Sequence, residues 1–204
     1  MAGNEVVIGS RSRERAEEAA AGVLEKGTKS LSVSGSLNED AARAADIIIN
    51  TLPYDAQAAS LPGLREAIGG KLFISTVVPM SFEKGVGASA VAVAEGSAAQ
   101  QAQALLPEAR VAGAFQTLSA SNLNDADHAL DADVLVTADD AETRQEVMAL
   151  VEGCRGLRAV DAGRLANTQY VEHITVLLVA INRRYKAHSE VRIVGLPDPA
   201  AVQD

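Results

Sequence analysis

Arg11, Arg13 and Arg15 fall within five residues, directly after the apolar run EVVIGS, in a chain whose formal net charge is -9. Ser10 sits just ahead of them. A hydroxyl and forked guanidinium groups at the end of a strand are the donor types that match phosphate oxygens. In dinucleotide-binding α/β folds this position sorts the cofactors. An acid there bonds the ribose 2′-OH of NAD, whereas arginine accommodates the 2′-phosphate of NADP. Past the strand VVIG no acid occurs until Glu14, so the pattern points to NADP. The plainer reading is a helix capped by Ser12 with a basic, exposed first turn. Arginine in a first turn opposes the helix dipole, so that reading leaves the placement unexplained.

Ligands of open α/β sheets bind beyond the carboxyl ends of the strands. The residues at those ends are Asn50, Thr51, Leu52 and Pro53; Thr76, Val77, Val78 and Pro79; and Phe115, Gln116 and Thr117. They are mostly apolar or neutral. Such a lining suits a flat heterocycle and hydride transfer, which needs juxtaposition and a dry site rather than a nucleophile. Turn and capping roles would equally explain any one of them. No acid-base or metal constellation competes. Cys154 is the single cysteine, and His128, His173 and His188 are scattered, which leaves neither zinc-ligand spacing nor a catalytic pair. Among neighbouring carboxylates, Asp140 falls where a helix cap is wanted. The G-x-G-x-x-A match, Gly85 to Ala90, follows PMSFEK rather than a strand and reads as a flexible loop.

The elements that position these residues alternate. EVVIG reads as a strand, RERAEEAAAGVLEKG as a helix closed by Gly27, SLSVSG (30–35) as a strand and NEDAARAA (38–45) as a helix. DIIINTLP (46–53) and KLFISTVVP (71–79) read as buried strands stopped by proline, flanking a helix at 55–68 broken at Pro62-Gly63. A helix at 95–107, a strand at 109–115 and a loop at 119–125 follow. Strands at 133–139 and 157–163 then flank a helix at 140–152. Near-continuous apolar strands alternating with helices predict a mostly parallel sheet covered on both faces. The last helix, about Leu165 to Lys186, is apolar nearly all round and reads as buried in a small C-terminal lobe or against a second subunit.

Composition bounds the rest. At 204 residues, with 48% hydrophobic and 22% charged residues, the chain suits one main folded domain. The acidic balance and only six aromatic rings disfavour nucleic-acid binding. No apolar run approaches the ~20 residues that span a bilayer, and the start MAGNEVVIG has no signal-peptide pattern. Cytoplasmic residence is the expectation.

These motifs together resemble the NADPH-dependent reductases of coenzyme F-420, an 8-hydroxy-5-deazaflavin. The resemblance is carried by VVIGSRSRERAEEAA, DIIINTLPYDA, LFISTVVP, GAFQTLSA, DVLVTADDAE and GLRAVDAGRLANTQYVEHITVLLVAINRRYK, and covers nearly the whole chain. It implies a doubly wound, Rossmann-like NADP-binding domain over 1–163. Residues 164–204 would supply a C-terminal helix and short strand for pocket and dimer contacts. It further implies that Ser10, Arg11 and Arg15 hold the NADP 2′-phosphate and that Thr51, Leu52 and Pro53 lie along the cofactor. Val78, Pro79, Gln116 and Thr117 would approach the nicotinamide and deazaflavin rings, with NADP and F-420 as small-molecule partners of a homodimer.

Two departures accompany the resemblance. Family members carry a strand and a turn of the type GGTGNxG ahead of the helix that leads into the counterpart of Asn4, and this chain shows neither; the family's usual histidine after the GAF-like strand is Gln116 here. The absent strand belongs at the centre of the sheet. Its flanking strands, 5–9 and 46–51, must therefore pair directly, leave a gap filled by another chain, or form a damaged fold, and the pyrophosphate subsite is expected to be lost. Two alternatives follow: an NADP-dependent reductase of a small imine or carbonyl, and a non-catalytic, dimerising relative.

Overall fold

The computed structural model describes residues 4–26, 31–125 and 128–197. The chain runs β1 (Glu5–Ser10), α1 (Arg13–Lys26), β2 (Ser32–Leu37), α2 (Asn38–Ala44), β3 (Ile47–Asn50), α3 (Tyr54–Ile68) and β4 (Leu72–Ser75). It continues with β5 (Met80–Glu83), β6 (Gly87–Ala90), α4 (Ala98–Leu105), β7 (Arg110–Gly113), α5 (Ala120–Leu123), β8 (Ala132–Ala138), α6 (Ala141–Glu152) and β9 (Leu157–Asp161). A 3-10 turn (Leu165–Asn167) leads into α7 (Thr168–Tyr185).

The main sheet has the order β3-β4-β7-β8-β9. All its pairings are parallel except β7 with β8. Strand alternation sends Phe73 and Val111 to one face, where they pack with Leu61, Ile68 and Leu106 from the layer of α3 and α4. Leu72 and Ile74 go to the other, with Val134, Val136, Val147 and Val151 under α6. Two covered faces explain why β8 is buried at every position. With few aromatics available, alanines fill the contacts between layers, and the expected doubly wound architecture holds.

β1 and β2 stand apart as a parallel two-stranded sheet. α1 packs so closely on it that an ideal Cβ at Gly35 would lie 2.3 Å from the carbonyl carbon of Ala16. Of the three outcomes expected for the strands 5–9 and 46–51, direct pairing does not occur. A groove of about 320 Å³ separates β1 from β3, lined by Val6, Ile8, Ile48, Ile49, Leu61 and Phe73 among others.

Several expectations are corrected. Gly85 to Ala90 is no flexible loop: Met80 pairs with Ala90 and Glu83 with Gly87 in an antiparallel hairpin. Gly85 and Gly87, at φ +88° and +110°, supply the left-handed turn. Pro62 does not break α3, which runs through it. Burial of Leu61, Ala67 and Ile68 on either side of Pro62 offsets the lost helix bond. The 119–125 loop holds α5, capped by the Ser119 hydroxyl, which accepts from the Asn122 N–H at 3.4 Å. α7 is not buried all round: Tyr170, Leu177, Ile181 and Tyr185 are exposed. The expected short C-terminal strand is instead a strap. The Asp133 N–H donates to Val191 O at 2.8 Å, while Arg158 forks onto the buried Asp133 carboxylate at 2.8 and 2.6 Å. Burial alone would raise the Asp133 pKa, but Arg158 and the Ile193 N–H hold it below the ordinary value. Gly27 lies outside the described residues.

Candidate functional site

The carboxyl ends of the parallel strands carry the polar groups that could meet a ligand. At β1, the Ser12 N–H donates to Ser10 Oγ at 3.4 Å, and Ser12 Oγ accepts from the Arg15 N–H at 3.4 Å, starting α1. Ser12 Oγ–H donates to Glu14 at 2.5 Å, which with the nearby Arg13 keeps that carboxyl below its ordinary pKa. Arg13 pairs with Asp40 at 3.3 Å. Arg11 and Arg15 are exposed and form no ion pair with a described residue. The three arginines thus divide: one is used by the fold, and two stay available to an anion.

At β3 the key residue is Asn50, 4% exposed. Its Oδ1 accepts the Leu52 N–H at 3.2 Å and shapes the 51–53 turn, and its carbonyl accepts both the N–H and the hydroxyl of Thr76, at 3.2 and 3.0 Å. Thr51 and Leu52 line the groove beside β1 together with Gly9 and Asn38. Pro53 is exposed and starts α3.

At β7 the backbone turns sharply. Phe115 takes φ +69°, a left-handed conformation that costs a bulky residue energy and recurs at functional sites. This turn lets Gln116 Nε2 donate to Ser75 O at 3.1 Å, tying the end of β7 to that of β4, while the Thr175 hydroxyl on α7 donates to Gln116 O at 3.0 Å. Gln116 Oε1 and Ser75 Oγ are buried with no partner among the described residues. Thr117 is buried, Val78 is half-buried, and the buried Pro79 accepts the Val91 N–H at 3.0 Å as the hairpin begins.

The ten residues expected at the site therefore fall into two groups. Thr51 and Leu52 line the groove between β1 and β3, while Ser10 and Arg11 follow its lining residue Gly9 in the chain, Arg15 lies in the first turn of α1 and Pro53 follows Leu52; Val78, Pro79, Gln116 and Thr117 sit at the ends of β4 and β7 and do not line that groove. Two cations and a hydroxyl beside an apolar wall fit a phosphate joined to a flat organic body. An orphaned amide oxygen at the β7 turn offers an acceptor for a ring N–H or carboxamide.

Residue types alone did not single out Asn38, Gln57, Thr175 or Glu172. Gln57 had a detectable signal: it shares the helical register of Leu61, Leu64 and Ile68, all core-facing, so a polar group was required on a buried stripe. Glu172 likewise follows Thr168 and Val171 on the inner face of α7.

Comparison with known proteins identifies the family. Residues 1–79 match a family model described as "NADP oxidoreductase coenzyme F420-dependent". The chain is 39% identical over 205 residues to the "F420-dependent NADP reductase" of Methanothermobacter thermautotrophicus, covering 97% of this chain and 88% of the relative. It is 34% identical over 198 residues to the protein of the same description from Methanocaldococcus jannaschii, covering 95% and 89%. A crystal structure from Arthrobacter sp., assigned as an F420-dependent NADP reductase, shares the fold with a TM-score of 0.75 at 24% identity, covering 90% of this chain and 85% of that one. Identity of this extent along almost the full length places the chain in the F420-dependent NADP reductase family.

Proposed function

We propose that this chain transfers a hydride between NADP(H) and coenzyme F-420 at the carboxyl ends of β1, β3, β4 and β7. The observation that carries this reading is the pair Arg11 and Arg15, exposed and without an ion pair among the described residues, next to Ser10 in an acidic chain. They would bind the 2′-phosphate by charge-assisted hydrogen bonds. Thr51, Leu52 and Pro53 would lie against the cofactor body, their backbone set by Asn50. Val78, Pro79, Gln116 and Thr117 would border the ring-stacking region, with the Gln116 amide orienting a ring edge. When bound, nicotinamide and deazaflavin supply the hydride donor and acceptor. The protein contributes orientation and exclusion of water, and no side chain of the site is required as a nucleophile or metal ligand.

The active form would be a homodimer in the cytoplasm. Tyr170, Ile174, Leu177, Ile181 and Tyr185 make an apolar stripe at helical spacing on α7, largely uncovered in the single chain. Among the described residues no helix is long and apolar enough to cross a membrane, so this stripe fits a protein partner.

The test is direct spectrophotometric transfer from NADPH to oxidised F-420. Turnover is expected, and Arg11→Ala should raise KM for NADPH at least tenfold with kcat largely kept. Absence of transfer with both compounds present would overturn the reading.

A further inference from the structure

A buried polar chain runs from α7 to the turn after β3, and beyond Asn50 its members have no role in the binding scheme above. Glu172, 3% exposed, accepts the Ala98 N–H on Oε2 at 3.2 Å and the Ala99 N–H on Oε1 at 3.4 Å, gripping the first turn of α4. Ser97 caps the same turn, its hydroxyl accepting the Gln100 N–H at 3.0 Å. Directly behind, Ala98 O and Gln101 Oε1 both accept from Gln57 Nε2 at 3.0 Å. Gln57, wholly buried, accepts from Asn50 Nδ2 on its own Oε1 at 2.9 Å. Asn50 Oδ1 then takes the Leu52 N–H. Four elements, α7, α4, α3 and β3, are linked by amide and carboxyl groups whose donors and acceptors are matched at each link.

We propose that Glu172 is a positioning residue for the cofactor-facing turn 51–53, acting through the start of α4, Gln57 and Asn50. The link rests on the cofactor reading above for its purpose, but not for its existence. An amide held at both ends fixes the rotamer of its neighbour: Gln57 can offer its oxygen to Asn50 only while its nitrogen is engaged by Ala98 O and Gln101. Displacing the first turn of α4 therefore reorients Gln57, and with it the Asn50 amide that shapes the turn. α7 meets the site a second time through Thr175 and Gln116 O, so one helix braces both groups of site residues.

The carboxyl also gives the link a natural probe. Burial pushes the Glu172 pKa up to about 7, against the opposing effect of the two backbone N–H groups. Protonation removes one full acceptor from the α4 turn. The packed elements add little other charge: α4 and the 3-10 turn carry none, and Glu95, Asp139, Arg164 and His173, which flank them, are exposed.

The experiment follows backbone amide resonances of the intact chain from pH 5.5 to 8.5, with NADPH dissociation constants measured in parallel at both ends of the range. Ala98, Ala99 and Leu52 are expected to titrate together in the unaltered protein, with a midpoint near that of Glu172. In Glu172→Gln all three should stop titrating. In Gln57→Leu, Ala98 and Ala99 should still titrate and Leu52 should not. NADPH binding should gain roughly fivefold from low to high pH in the unaltered chain, beyond any change in either variant. Leu52 staying silent while Ala98 moves, or still titrating in Gln57→Leu, would overturn the proposal. Failure of the unaltered chain to bind NADPH would instead overturn the cofactor reading, with the amide titration still deciding the link.

Discussion

At the scale of single residues, the informative side chains are those that the fold pays to bury. Glu172 has its pKa raised to about 7 from an ordinary 4.5, so the folded state binds its proton more tightly than the unfolded state does. Its contribution to stability is thus full at low pH and is lost as pH rises between the two values. The loss should be about 3 kcal/mol at one pKa unit per 1.4 kcal/mol. Thermal denaturation of Glu172→Gln should show a flatter dependence of stability on pH between 5 and 7 than the unaltered chain; parallel curves would show that Glu172 is not the group responsible. The basic cluster at 10–15 and the residues at strand ends were legible from type and position alone. Asn50, Gln57 and Glu172 were not, because what matters about them is which distant amide each one faces. Gln116 could be named as a candidate from its place after a strand, but the strained Phe115 backbone that turns it toward Ser75 could not be read.

At the scale of elements, hydrophobic periodicity located the strands and helices well, and the misses have physical causes. The β5–β6 hairpin was read as a flexible loop because its short strands, MSFE and GASA, carry little apolar alternation around a glycine-rich turn. α3 survives Pro62 because core burial outweighs one missing hydrogen bond. Gly35 shows how closely α1 approaches β2: Gly35→Ala should cost several kcal/mol, since the new methyl would meet helix backbone that cannot swing aside. A shift of less than about 2 °C in melting temperature would mean that α1 is free to move away. α7 was read from its composition as buried on all sides, yet one stripe is open. Replacing Leu177 and Ile181 together by Asp should convert a dimer to a folded monomer in sedimentation velocity. A monomeric unaltered chain, or an intact dimer in the variant, would remove α7 from the interface.

At the scale of the whole molecule, the mostly parallel layered sheet and its two covered faces were legible from strand alternation and near-continuous apolar runs. The division into a β1–β2 pair and a five-stranded sheet could be posed from sequence only as a choice, because strand partners are not written in local pattern. The structure answers it with a groove whose walls are largely apolar, and the chain leaves its lining residue Gly9 directly into Ser10 and the exposed Arg11. Ser10, Arg11 and Arg15 are proposed to recognise the one phosphate that separates NADP from NAD. Fluorescence titration of the chain with NADPH and with NADH, repeated on Arg11→Ala, measures this directly. NADPH should bind at least tenfold more tightly than NADH, and the substitution should remove most of that preference while leaving NADH affinity unchanged. Equal affinity for the two nucleotides in the unaltered chain, or a preference that survives Arg11→Ala, would contradict it.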